Sequence, residues 1–98
     1  MAKLIARYRH PDDPAAFDHH YFNVHVPLAR QLPGPTGYEV NRGDVGGGAW
    51  HLAAILTFRS FDAMTAALES EIGHAAHHDL ANFAGAGVEV SAFDTPAA

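Results

Sequence analysis

The stretch Trp50 to Phe58, WHLAAILTF, constrains the fold of this chain more than any other. It holds no Gly or Pro and is rich in aromatic and branched side chains, so it reads as a strand. At a period of two, Trp50, Leu52, Ala54, Leu56 and Phe58 share one face, and His51, Ala53, Ile55 and Thr57 share the other. Both faces can be buried, which suits a strand inside a sheet.

The other segments arrange themselves around it. Residues 3 to 9, KLIARYR, alternate as a first strand, with Leu4, Ala6 and Tyr8 on one side and Ile5, Arg7 and Arg9 on the other. Asp13 then suits an N-cap and Pro14 the first helical position, opening a helix expected from about residue 14 to about residue 31. Its inward stripe is Phe17, Tyr21, Val24, Leu28 and Leu32. Pro27 lies within it, has no N–H to donate to the Asn23 carbonyl and crowds that carbonyl, so a kink or an early finish is expected there. Gly37 to Arg42 pairs with Trp50 to Phe58 as a hairpin whose tip is the glycine-rich run Gly43 to Gly48. Ser60 caps a further helix with Phe61, Met64, Leu68, Ala76, Leu80 and Phe83 facing inward, and Gly73 is where it would divide. Val88 to Phe93 alternates as a last strand. The expected domain is 1–94, with 95–98 a frayed tail.

The order β-α-β-β-α-β is that of an α+β, ferredoxin-like fold: a four-stranded antiparallel sheet with both helices on one face. Ninety-eight residues supply one such core. The other face would carry Ile5, Ile55 and Phe93 beside Arg7, His51 and Glu89, a mixed surface that a second copy could cover, so a homodimer is expected. Phe22 and Val26 point away from the first helix's stripe and also want cover.

Composition narrows the partners. Six Lys and Arg against eleven Asp and Glu give a charge of −5, the wrong sign for binding a nucleic-acid backbone. No apolar run approaches the ~20 residues of a membrane span. The absence of cysteine excludes disulfides, thiolate nucleophiles and sulfur-ligated zinc. The N-terminal apolar stretch is too short for a signal peptide, so a cytoplasmic location is expected. Gly43 to Gly48 opens no helix and lacks the Lys and Ser/Thr of a P-loop. No glycine-rich strand-to-helix turn suits a dinucleotide. A protein without a cofactor is therefore expected.

On the helix side of the sheet, bulky Leu4, Tyr8, Leu52, Leu56 and Phe58 alternate with small Ala6 and Ala54, which leaves room for a pocket. Tyr8 belongs to that wall, and Tyr38 and Trp50 stand at strand beginnings where an aromatic either lines a mouth or simply packs. Tyr21 and His25 are one helical turn apart. An imidazole there can move a proton near pH 7, and the phenol can hold a ligand oxygen; a satisfied helix-edge histidine is the plainer reading.

The run HYFNVHVPLA from His20 to Ala29, then Leu32-Pro33-Gly34, Tyr38-Glu39-Val40 and DLANFA from Asp79 to Ala84, resembles the EthD family of the dimeric α+β barrel superfamily. The resemblance covers nearly the whole chain, and its most specific part is Y-x-x-x-H-x-P-L followed by L-P-G. It implies a ferredoxin-like protomer that pairs sheet to sheet. For activity it implies less: members often carry a reductase label, and similar proteins act as cofactor-free cyclases, isomerases and oxygenases with a His or Tyr as proton shuttle. Carried over by motif, Tyr21 and His25 are the expected catalytic pair, with Asn82 and Phe83 as pocket residues beside Tyr8, Tyr38 and Trp50.

Eight histidines raise the question of a metal. His74 and His78 would share a helix face, with His77 beside them, but that face should point to solvent, away from Ala76, Leu80 and Phe83, and it lacks a third ligand of the right kind. No metal is assigned. The expected protein binds an apolar, oxygenated small molecule, aromatic or polyketide-like, between helices and sheet, with His25 as acid and base in an isomerisation, cyclisation or oxidation. The competing expectation is a non-catalytic binder that delivers a pathway intermediate.

Overall fold

A computed structural model describes residues 1–96. The chain forms β1 (Ala2–Arg9), α1 (Pro14–His20), a π-helical turn (Tyr21–His25), α2 (Val26–Ala29), β2 (Pro35–Val40) and β3 (Trp50–Phe58). It continues through α3 (Phe61–Glu69), α4 (Glu71–Asp79), a 3₁₀ turn (Leu80–Asn82) and β4 (Val88–Asp94). The four strands are antiparallel in the order β2-β3-β1-β4, the ferredoxin-like α+β architecture. β3 is an inner strand, as its two apolar faces require.

Register decides which side chains meet the helices. Ala2 pairs with Phe58, Leu4 with Leu56, Ala6 with Ala54 and Tyr8 with Leu52. The helix side then holds two apolar clusters. One gathers Ala29, Leu32, Leu56, Phe58, Met64 and Ala67; the other gathers Tyr8, Phe17, Tyr21 and Leu52. The second cluster also holds the Ala6–Ala54 pair, which stands next to Leu4 and Leu56 in register and is too small to fill the layer.

Three elements depart from strict periodicity, each for a local reason. Val26 N–H donates to the Tyr21 carbonyl five residues back, and the next donor is missing at Pro27. The wider π turn moves the carbonyls away from the proline ring, so the helix passes through Pro27 and ends at Ala29 rather than near residue 31. The wider turn also shifts the helix's phase. His25 and Ala29 are buried where Val24 and Leu28 were expected; Val24 is 45% exposed and Leu28 half-buried. Val26 packs against the second cluster, whereas Phe22 remains exposed.

The second helix divides at Ser70, not at Gly73. Ser70 Oγ accepts from Gly73 N–H and restarts the chain as α4. Gly73 has a separate reason to be glycine: a Cβ there would lie 2.4 Å from the carbonyl oxygens of Ala67 and Leu68. On α3 the inward residues are Met64 and Ala67, while Phe61 and Leu68 are exposed.

The third departure is a bulge in the β1–β3 pairing after Tyr8, where Arg9 is opposite Trp50 instead of His51. Trp50 therefore lies on the open face of the sheet, with the Arg7 and Arg9 guanidinium carbons 4.4 and 4.7 Å from its ring centroid. His51 turns to the helix side and bonds Asp18. The expected places of these two residues are thus exchanged. In the tail, Thr95 donates to the Met1 carbonyl through its N–H and its hydroxyl. Residues 97–98 of the expected tail lie outside the described residues.

Candidate functional site

A cavity of about 610 Å³ opens between the sheet and the helices over the Ala6–Ala54 pair. Its floor is sheet, with Leu4, Tyr8 and Leu56; its far wall is helix, with Tyr21, His25 and Ala29. The π turn supplies that wall, since it stacks His25 against Tyr21 with ring centroids 5.5 Å apart.

His25 is 7% exposed, and its Nδ1 lies 2.9 Å from Asp79 Oδ2. Asp79 is buried at the end of α4. Its other oxygen receives His20 Nε2 at 2.8 Å and Asn82 Nδ2 at 3.0 Å. Burial, the largest influence on Asp79, pushes its carboxyl up, but the hydrogen bonds from Asn82, His20 and His25 outweigh it and hold the group below its ordinary value. It is a carboxylate. Burial also dominates at His25 and lowers its imidazole below its ordinary value, against the opposing pull of Asp79. His25 is thus neutral at pH 7. With Nδ1–H donating to Asp79, the lone pair is on Nε2. Among the described residues that nitrogen has no protein partner, and no buried polar side-chain atom is left unpaired, so Nε2 opens to the cavity.

The phenols form a second polar group. Tyr21 and Tyr38 share a 2.7 Å hydrogen bond between hydroxyls. Tyr21 is fully buried, whereas Tyr38 is half-buried and reaches the cavity from β2. Burial above all raises Tyr8, Tyr21 and Tyr38 above the ordinary phenol value. All three are therefore O–H donors at neutral pH, not bases. The Tyr8 hydroxyl has no protein partner among the described residues and opens to the cavity.

The residues singled out from sequence fall into three places. Tyr8, Tyr21, His25 and Tyr38 line the cavity. Asn82 and Phe83 stand behind it: the 3₁₀ turn brings Asn82 back onto Asp79, and Phe83 stacks on His20 at 5.1 Å and lies 4.9 Å from His25. Trp50 is on the opposite face of the sheet because of the bulge, so it does not line the mouth. A further correction concerns α4. His74 and His77 are exposed but line the cavity mouth alongside Ala76 and Leu80, rather than facing away from them. Asp79 and His20 were not singled out. The spacing of Asp79 from Asn82 on a helix was visible in sequence, but its meeting with His25 joins positions 54 residues apart.

Comparison with known proteins bears on the same features. The EthD domain family matches residues 9–87. A protein of 11.0 kDa from the thcB–thcC intergenic region of Rhodococcus erythropolis is 38% identical over 91 residues, covering 90% of this chain and 88% of that one. The crystal structure of an EthD family protein from Bacillus halodurans superposes with a TM-score of 0.89 at 32% identity, covering 98% of this chain and 99% of that one. At 18% identity the likeness is of fold alone: SnoaB from Streptomyces nogalater, a cofactor-independent oxygenase, gives a TM-score of 0.71 over 96% of this chain and 91% of that one. With the domain matched over residues 9–87 and two relatives above 30% identity that each cover 90% or more of it, the chain belongs to the EthD family.

Proposed function

We propose that this protein binds an apolar, oxygenated small molecule in the cavity and moves a proton on it without a cofactor, as a cytoplasmic homodimer. The observation that carries the reading is the His25–Asp79 pair, with Nδ1 held at 2.9 Å and Nε2 facing an apolar chamber. A ketone carbonyl placed at Tyr38 accepts its O–H, with Tyr8 as a second donor. His25 Nε2 takes the adjacent C–H proton; the electron pair of that bond moves onto the carbonyl oxygen as an enolate, which the phenols stabilise. Asp79 holds the imidazole's orientation and stabilises the imidazolium. It is a positioning residue. Where a C=C is conjugated with the enolate, return of the proton from His25 to the far carbon gives the isomer; where the enolate carbon attacks a second carbonyl, that carbonyl's oxygen takes the electron pair and then the proton from His25, closing a ring. SnoaB, a cofactor-independent oxygenase of this fold, supports the part of the reading in which no cofactor is used.

The open sheet face supports the dimer. It carries Ile5 paired with Ile55, Phe93 at 44% exposed, and the Arg7–Trp50–Arg9 stack joined to Glu89.

The test is deuterium exchange of the α-hydrogens of 2-tetralone in D₂O, followed by NMR. The wild-type protein should accelerate exchange, and His25→Gln should lose roughly a hundredfold or more while remaining folded. Ligand-induced shifts without any acceleration would replace catalysis with carriage of the ligand.

A further inference from the structure

The cavity differs in charge from the rest of the molecule. The chain has eleven Asp and Glu against six Lys and Arg, yet among the described residues no carboxylate side chain lines the cavity. Asp79 is close by, but it lies behind His25 and is committed to His20, His25 and Asn82. At the mouth stand His74 and His77, one turn apart on α4, with Leu68 and Val90, which are 38% and 54% exposed. The histidine hydrogen bonds among the described residues belong to His10, His20, His25 and His51, so His74 and His77 are without a protein partner. Two imidazoles without a protein partner therefore border an apolar opening that, among the described residues, has no negative side chain.

We propose that the ligand carries a carboxylate, held at the mouth by His74 and His77, while its apolar body and enolisable carbonyl lie inside against His25 and Tyr38. The proposal rests on the cavity being the ligand site, and it specifies the class of substrate. Two imidazole N–H donors one helical turn apart can each donate to an oxygen of a carboxylate, and a hydrogen bond to a charged acceptor is stronger than one to a neutral acceptor. A neutral ligand gains little from them. A metal ion is a poorer occupant, because no group of three His, Asp or Glu among the described residues could hold one. The exposed apolar edges of Leu68 and Val90 cover the first ring of a ligand whose charged end stays near water. The volume, within the ~300–1,000 Å³ usual for small-molecule sites, suits fused rings.

Isothermal titration with 2-naphthoate and the neutral 2-naphthamide tests this on the wild-type protein, His74→Gln/His77→Gln and His25→Gln. Both exposed histidines can be replaced without disturbing the core. The expected result is naphthoate bound roughly tenfold more tightly than naphthamide by the wild type. That preference should vanish in the double variant, with naphthamide affinity unchanged, and survive in His25→Gln. Equal affinities in the wild type, or a preference that survives the double variant, would overturn the proposal. A preference lost only in His25→Gln would place the carboxylate at His25, overturning it while leaving the cavity as the site. Binding of neither compound would overturn this proposal and the cavity reading together. Failure of tetralone exchange with the preference intact would overturn the proton-transfer reading alone.

Discussion

At the scale of single residues, the site depends on one buried carboxylate serving two imidazoles. His25 binds a proton less readily in the folded protein than in the unfolded chain, so the stability from burying it neutral is fully present above its ordinary value of 6.5. That stability is lost as pH falls through the lowered folded value. Asp79 is lowered as well, so its contribution is present above its ordinary 3.8 and is lost at still lower pH. Unfolding followed against pH should therefore show two losses on the acid side, and His25→Gln should remove the one nearer neutrality. The proton-transfer rate should rise with pH through a midpoint below 6.5 and then stay level across neutrality. Asp79→Asn removes the group that raises His25, so the midpoint should move lower and the plateau rate fall by about a hundredfold, read from the tetralone exchange profile. A purely structural Asp79 would leave the midpoint in place.

Elements place these residues, and here the sequence was legible only in part. The caps were readable: Asp13 accepts from Ala16 N–H and Ser60 from Ala63 N–H. A disturbance at Pro27 was readable too, but not its form. A kink and a π turn both answer a missing donor, and only the π turn shifts the phase by a residue, exchanging Val24 for His25 on the inner face. Likewise, alternation along WHLAAILTF placed Trp50 with Leu52, because a bulge leaves no mark in a pattern of two. The junction of α3 and α4 offers a direct check. Gly73→Ala would put a Cβ 2.4 Å from two backbone oxygens, which cannot yield as a flexible side chain does. Urea denaturation should show a loss of roughly 2–3 kcal/mol, with the cavity wall at Gly73 displaced.

At the scale of the whole molecule, the protomer is a slab with principal extents of 36 × 33 × 18 Å, one helix layer on one sheet. Such a slab has an uncovered sheet face, and the proposed dimer covers it. Ile55→Glu sets a carboxylate at the middle of that face, across from Ile5, without touching the cavity side. Sedimentation equilibrium should then give the 10.5 kDa protomer, where the wild type gives twice that mass. A wild-type protein that sediments as a monomer would remove the dimer from the proposed function and leave the cavity untouched.

The sequence by itself determined the architecture and the family, because strand alternation, capping residues and the Y-x-x-x-H-x-P-L and L-P-G runs are local signals, each carried by neighbours along the chain. It also marked the vacancy, since Ala6 and Ala54 are small on strands that pair. Tertiary structure alone decided which polar groups meet there. Asp79 reaches His25 across 54 positions, Tyr38 reaches Tyr21 from another element, and Trp50 is turned away by one extra residue. Hydrogen bonds between distant side chains depend on helix phase and strand register together. A shift of one residue in either, invisible to periodicity, turns a cavity residue into a surface one.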